Sequence, residues 1–316
     1  MHIVIHIGGG KTGTTAIQRY LASIRNKLMP EGLLYPAAAG GSDGKGHDVF
    51  GKAFIDDLPF YMKPPANTET ELHALREEIG NSPASTVLIS SEQLELANPT
   101  KVREFFDAFR RPLSFKILYF VRSQDELAES EYNQLVKLRR YHGSFSDFAS
   151  RHFNGNFYQI ASAWRSVFGP RAVKCQVYDP NAGDAVTRLF TMAGLSLPET
   201  ETPPQNRSTN SSLGFLALTA MRIAGRRGKA FPPDLAGQLI EILADDDMPA
   251  LLMDAREAAH FRSRFQNSNA AFAQEFLETP VPELGGRRYS DSERDNVRAK
   301  IREFEFAGGL QMPTKA

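Results

Sequence analysis

The hydrophobic pattern opens with a short apolar run, Ile3 to Ile7, that stops at Gly8-Gly9-Gly10. A run of that length, rich in β-branched residues and bounded by glycines, reads as a buried strand. Behind the glycines, Ile17, Tyr20, Leu21 and Ile24 recur at helical spacing over Thr14 to Lys27. The chain therefore begins as strand, glycine loop and helix. Apolar runs at Thr86 to Ser90, Phe115 to Val121 and Ala172 to Tyr178 predict three more buried strands. Helical periods lie between them, near Thr70 to Ile79, Lys101 to Phe109, Asp125 to Leu138 and Phe157 to Phe168. Strands that alternate with helices argue for an α/β fold: a three-layer sandwich with a central parallel sheet covered on both faces.

The pattern changes after Pro198. Glu199 to Ser212 is rich in Pro, Thr, Ser and Asn and reads as a loop. Beyond it only helical periods appear, near Leu213 to Ile223, Asp234 to Leu243, Ala255 to Leu277 and Ser290 to Phe306. This divides the chain into a core over residues 1–200 and a helical extension over residues 201–316, packed on the core and ending in a frayed tail from Gly308. There is no internal repeat and no low-complexity tract.

Composition narrows the chemistry. The chain has 316 residues, 41% of them hydrophobic and 22 of them Phe, which is enough to bury a sizeable core without staples. Its single cysteine, Cys175, excludes an intrachain disulfide and a thiolate metal cluster, and reads as a small buried core residue. Basic and acidic residues balance at 37 each, which argues against nucleic acid held by bulk charge but leaves room for a local anion site. The first residues lack the basic and long apolar regions of a signal peptide, and no run reaches the ~18 apolar residues of a membrane span. A cytoplasmic location is expected.

The segment Gly8-Gly9-Gly10-Lys11-Thr12-Gly13-Thr14-Thr15 carries the strongest chemical signal. Glycines let backbone N–H groups turn toward an anion, and the helix that follows adds unpaired N–H donors and a favourable dipole. Lys11 supplies a mobile positive charge, and Thr12, Thr14 and Thr15 supply hydroxyl donors. The plainer reading is a glycine-rich turn with threonine caps; the added lysine favours a phosphate cradle. It is not the nucleoside-triphosphate loop G-x-x-x-x-G-K-(S/T), because the first glycine would fall at Ile5, inside the strand. The strand ending at Val121 is followed by Arg122 and Ser123, and not by the acid that would hold Mg²⁺.

Lys11-Thr12-Gly13-Thr14-Thr15 resembles the 5'-phosphosulfate loop of sulfotransferases that use 3'-phosphoadenosine 5'-phosphosulfate (PAPS), K-(S/T)-G-T-(T/S), and Ala16-Ile17-Gln18 continues it as in the bacterial branch. The resemblance implies a P-loop-like fold. It implies that Lys11 contacts the phosphosulfate and that Gly13, Thr14 and Thr15, beside Thr12, hold the 5'-phosphate. The family's 3'-phosphate element is a strand ending in Arg with a Ser eight residues later. Here these positions are Arg122 and Ser130. Arginine offers planar paired donors that suit a phosphate. The alternative for Arg122 is a surface ion pair with Asp125 or Glu126. The match is partial, since Gln124, Asp125 and Glu126 replace the family's usual continuation. A late loop that closes over the nucleotide would bring Asn206 or Arg207, in competition with Gly225 to Lys229.

Sulfuryl transfer to a hydroxyl needs a general base. Glu92 follows the strand at Val87 to Ile89 within Ser90-Ser91-Glu92, at the strand end that faces a ligand crevice in such sheets. Relatives use His or Glu as the base. Glu92 is the first candidate and Glu95, a turn further, is less well placed. His47, in the polar loop Gly44 to Asp48, is the second, as base or as acceptor contact. The implied function is transfer of a sulfuryl group from PAPS to a hydroxyl or amine, a glycan or a small molecule, leaving adenosine 3',5'-bisphosphate (PAP), without a metal. The competing readings are a P-loop kinase of small molecules and a non-catalytic nucleotide- or glycan-binding protein.

Overall fold

The computed structural model describes residues 1–40, 44–179, 184–198, 212–226, 235–242 and 250–277. Five parallel strands form one sheet: β1 (His2–His6), β2 (Leu33–Leu34), β3 (Thr86–Ser90), β4 (Ser114–Val121) and β5 (Val173–Val177). Their order is β2-β3-β1-β4-β5, so β1 lies at the centre, with His6 opposite Ser90 on one side and Leu118 on the other. Chain leaving β1 meets neighbours reached from opposite directions. The carboxyl ends of β3, β1 and β4 therefore open the crevice in which parallel sheets hold ligands.

The helices are α1 (Thr14–Ser23), α2 (Arg25–Leu28), α3 (Asp48–Ala53), α4 (Thr68–Asn81), α5 (Pro99–Asp107), α6 (Gln124–Lys137) and α7 (Phe145–Arg151). They continue as α8 (Phe157–Phe168), α9 (Ala185–Ala193), α10 (Phe215–Arg226), α11 (Leu235–Ile242), α12 (Ala255–Ser263) and α13 (Gln266–Phe276). Two expected long helices are each interrupted. The first breaks at Ile24, whose φ of −107° ends α1 before α2 begins. The period from Ala255 to Leu277 breaks between α12 and α13. The helical period at Ser290 to Phe306 and the tail lie outside the described residues.

Alternation along the strands fixes which helices cover which face. Val4, Leu88, Leu118 and Phe120 pack with Ile17 and Leu21 of α1 and with Leu189 and Phe190 of α9 in one buried cluster. The other face meets a phenylalanine cluster. Phe106 of α5 stands 5.6 Å from Phe115 of β4, and Phe115 stands 5.0 Å from Phe168 of α8, all as edge-on rings. Such aromatic pairs each contribute about 0.5–1.5 kcal/mol beyond their area burial.

The described residues fall into two compact units that are not consecutive in sequence. One comprises residues 1–122, 156–198 and 266–277, and holds the sheet together with α13. The other comprises residues 123–155, 212–226, 235–242 and 250–265. Within this second unit, α6 carries a buried polar stripe at helical spacing. Asp125 accepts from Arg262 at 2.5 Å, and from Ser123. Glu129 accepts the Leu252 and Met253 N–H groups at 2.7 and 2.8 Å. Asn133 exchanges two hydrogen bonds with the Leu213 backbone at 2.8 and 3.0 Å. Each buried polar group on the stripe is thereby satisfied.

Candidate functional site

The loop between β1 and α1 is shaped by close approach. A Cβ at Gly9 would stand 2.3 Å from the Phe120 carbonyl oxygen, so the loop crosses β4 at a distance only glycine permits. Gly13 has φ of 85°, and a Cβ there would meet Ala185 at 2.8 Å. Between them Lys11 adopts φ of 63°, a left-handed conformation that costs a non-glycine residue roughly 1–2 kcal/mol. Backbone strain held at one point of a loop marks a place where conformation serves binding.

The N-terminus of α1 is suited to an anion. Gly13 is its N-cap and contributes no side-chain hydrogen bond to the first turn. The first-turn N–H groups are thus left for a partner outside the helix. Thr15 is exposed on that turn, and Lys11 is half-buried beside it in sequence. Thr12 behaves differently from expectation. It is fully buried and its hydroxyl donates to the Gly9 carbonyl at 2.7 Å, so this hydroxyl braces the loop. Thr14 is also buried, with a longer 3.5 Å contact to the same carbonyl.

Two carboxyl groups line the loop. β3 ends at Ser90, and the short 3-10 turn Glu92–Leu96 follows, capped by the Ser91 hydroxyl, which accepts the Gln93 N–H at 3.2 Å. Gly8 is the point of contact: a Cβ there would stand 3.0 Å from Glu92 Cα. The Glu92 side chain is exposed by surface area, yet protein atoms surround its carboxyl, as for a group inside a concavity. Desolvation pushes its pKa above the ordinary carboxylate range; the nearby Asp48 adds to the rise, and Lys11 and Lys52 oppose it. Its accessible surface tempers the desolvation contribution. Glu95 lies three residues on, where a 3-10 turn brings side chains into line. It accepts the Tyr119 hydroxyl of β4 at 2.5 Å and the backbone N–H of Gly10 in the loop itself. Burial pushes its pKa up to about 7, against the lowering effect of those two donors.

Arg122 stands where the strand-end motif puts it. It follows β4, and its Nη1 donates to the Lys11 carbonyl at 3.4 Å, so this guanidinium lies against the loop. Ser130 lies on α6 in the second unit, half-buried. Asp125, the ion-pair partner considered for Arg122, is bonded by Ser123 and Arg262 within that unit. Asn206 and Arg207 lie outside the described residues, as do 227–229. Arg226, at the end of α10, donates to the His142 carbonyl at 3.0 Å.

His47 does not face the loop as a base. It is fully buried, its Nδ1 accepts the Ser90 N–H at 3.1 Å, and its Nε2 lies 3.1 Å from the Pro36 carbonyl. A carbonyl partner requires the proton on Nε2, which leaves neither nitrogen free. Burial lowers its pKa to about 4. His47 therefore ties its loop to β3 as a structural residue, edge-on to Tyr35 at 4.9 Å.

Tyr119 and Tyr178 also come close to the site, and the sequence does not single them out. Tyr119 carried one usable signal, since a phenol in a fully buried strand must find a hydrogen-bond partner. Tyr178, after β5, approaches Gly13 closely: a Cβ on Gly13 would lie 3.6 Å from its hydroxyl, and Arg188 stacks over its ring at 4.9 Å. Nothing in its strand pattern singled it out. Cys175 on β5 is partly buried, and burial raises its thiol pKa. Among the described residues no group of three or more His, Cys, Asp or Glu is arranged to hold a metal ion, and no helix is long and apolar enough to cross a membrane.

No protein-family model and no curated protein matches the chain. Among solved structures it is similar to a sulfotransferase from Alicyclobacillus acidocaldarius, with a TM-score of 0.43 and 18% identity over 77% of this chain and 96% of that one. It is also similar to mouse sulfotransferase SULT7A1 complexed with PAP, with a TM-score of 0.36 and 12% identity over 94% of this chain and 88% of that one. A third is retinol dehydratase in complex with androsterone and inactive cofactor PAP, with a TM-score of 0.37 and 14% identity over 90% and 83% of the two chains. Likenesses of this size transfer no residue role to the present chain.

Proposed function

We propose that this protein is a PAPS-dependent sulfotransferase that moves a sulfuryl group to a hydroxyl or amine of an acceptor, a glycan or a small molecule. The observation that carries the reading is the meeting of three elements at the end of β1. These are a glycine loop opening an uncapped helix, the Arg122 guanidinium against that loop, and Glu92, whose Cα and Cβ lie against Gly8.

The donor supplies an activated sulfur–oxygen bond; the chain supplies position and charge. The first-turn N–H groups of α1, with Thr15 and Lys11, hold the 5'-phosphosulfate. Arg122 reads the 3'-phosphate. Glu92 takes the proton from the acceptor as the new oxygen–sulfur or nitrogen–sulfur bond forms. The bond from sulfur to the bridging oxygen breaks in line with that attack. Lys11 and the loop N–H groups stabilise the negative charge that collects on the departing oxygen. Adenosine 3',5'-bisphosphate leaves, and Glu92 returns its proton to solvent. No step calls on a metal.

Calorimetric titration tests this reading. Adenosine 3',5'-bisphosphate should bind with EDTA present, and at least about tenfold more tightly than AMP, the ratio for about 1.4 kcal/mol of 3'-phosphate recognition. Equal affinity for AMP would remove the 3'-phosphate role of Arg122. Tighter binding of ATP with Mg²⁺ would favour a kinase.

A further inference from the structure

A carboxyl group in contact with an anion loop is electrostatically opposed to the ligand the loop is built for. Glu95 makes such a contact. The Gly10 N–H points at it, and the Tyr119 hydroxyl holds it from β4 at 2.5 Å. The loop strand that Gly10 belongs to is fixed on one side by Gly9 against the Phe120 carbonyl. Glu95 fixes it on the other. The same turn carries Glu92, whose charge disfavours ionisation of Glu95.

We propose that Glu95 is a positioning residue of the phosphate loop, and that its carboxyl takes up a proton when an anionic ligand seats there. This rests on the anion-binding reading of the loop given above. As a carboxylate, Glu95 accepts two hydrogen bonds and holds the empty loop in shape. When phosphate arrives, two negative charges would share one set of N–H donors. Close like charges disfavour one another, and the group with the higher proton affinity takes up a proton. The carboxylate gains one proton from solvent and becomes a neutral acid. Its carbonyl oxygen still accepts from Gly10 and its new O–H turns to the Tyr119 oxygen, so the shape survives while the charge is removed. Burial has already raised the group to near neutrality, which makes the uptake inexpensive.

The charged and titratable groups around it are Tyr119 on β4, Glu92 on its own turn, Lys11 in the loop, and Asp48 and Lys52 acting on Glu92. Glu92 shares the turn and also has a raised pKa, so it needs its own control.

The test is proton-linked calorimetry between pH 7 and pH 8.5, above the range where a ligand phosphate itself titrates (pKa about 6). Binding heats are measured in two buffers of different ionisation enthalpy, with adenosine 3',5'-bisphosphate and, separately, inorganic pyrophosphate. Wild-type protein should take up a substantial fraction of a proton, and its affinity should fall as pH rises. Glu95→Gln should bind without that uptake, and its affinity should be nearly flat with pH. Glu92→Gln should retain the uptake. Tyr119→Phe keeps the ring and serves as a milder second variant, in which the pH dependence is shifted and not abolished. Uptake in Glu95→Gln equal to wild type, or affinities with the same pH slope, overturns the proposal, as does failure of both ligands to bind. If pyrophosphate shows the effect while the adenosine bisphosphate does not bind, the inference stands and the nucleotide reading falls.

Discussion

At the scale of single residues, two groups chosen for the same role prove to be physically unlike. Glu92 has solvent-accessible surface and feels the charge of Lys11, with a pKa displaced upward toward the range where a carboxylate is a better proton acceptor. His47 is sealed, satisfied at both nitrogens and held as a neutral ring. The contrast gives a paired prediction. Glu92→Gln keeps side-chain shape and removes the proton acceptor, so turnover should fall by ~10²–10⁴-fold with nucleotide affinity nearly unchanged. His47→Asn should leave turnover of the folded protein close to wild type. It should cost stability of about 1–3 kcal/mol, the range for leaving a buried polar partner unsatisfied. Turnover and urea unfolding of the two variants check this directly. A catalytically dead but stable His47→Asn would reverse the assignment.

At the scale of elements, the strand–loop–helix unit depends on glycine for approach more than for flexibility. Gly9→Ala would set a methyl 2.3 Å from a backbone carbonyl, which cannot rotate away. The loop must shift, and overpacking of this kind typically costs ~1–3 kcal/mol. Nucleotide affinity should fall by about tenfold or more, with secondary structure intact by circular dichroism. Gly80→Ala is the control. It lies on α4 with nothing within 4 Å of the new methyl, so it should leave affinity alone and raise the melting temperature slightly, as alanine does in a helix. Affinity unchanged in Gly9→Ala would show that the loop does not need its approach to β4. These elements were also the legible ones. Thr86–Ser90 and Phe157–Phe168 coincide with their apolar runs, because length and periodicity are local properties. The two-residue strand Leu33–Leu34 was not readable, since pairing with β3 alone makes it a strand. Nor was α9: Val186, Leu189, Phe190 and Ala193 do show helical spacing, but over only nine residues, too short a window for periodicity to decide. At the site, Arg122 and Glu92 are singled out by their strand ends, and both lie against the loop. Glu95 carries no such signal, because its partner, the Gly10 N–H, comes to it only when β3 and the loop lie side by side.

At the scale of the whole molecule, buried titratable groups in the sheet-bearing unit set how stability answers to acid. His6 and His47 have folded pKa values of about 3 and about 4, lowered by burial from 6.5. Below pH 6.5 the unfolded chain binds a proton at each of them and the folded chain does not. Their contribution is therefore fully present above pH 6.5 and is lost as pH falls toward 4, by up to about 1.4 kcal/mol per pH unit for each histidine. Glu95 acts in the opposite sense. Its folded pKa of about 7 lies above the ordinary 4.5, so the folded chain holds a proton that the unfolded chain releases between those values. That contribution grows as pH falls from 7 to 4.5, and Glu92, also raised, acts the same way. The wild-type decline on acidification is accordingly blunted. Glu95→Gln removes one of the opposing groups, so its stability should fall more steeply than wild type between pH 6.5 and 4.5, by up to about 1.4 kcal/mol per pH unit. The single tryptophan, Trp164 on α8, is buried in the same unit, so its fluorescence during urea unfolding reports the right part of the chain. Parallel pH profiles for wild type and Glu95→Gln would mean that Glu95 titrates as an ordinary carboxylate and does not oppose the histidines.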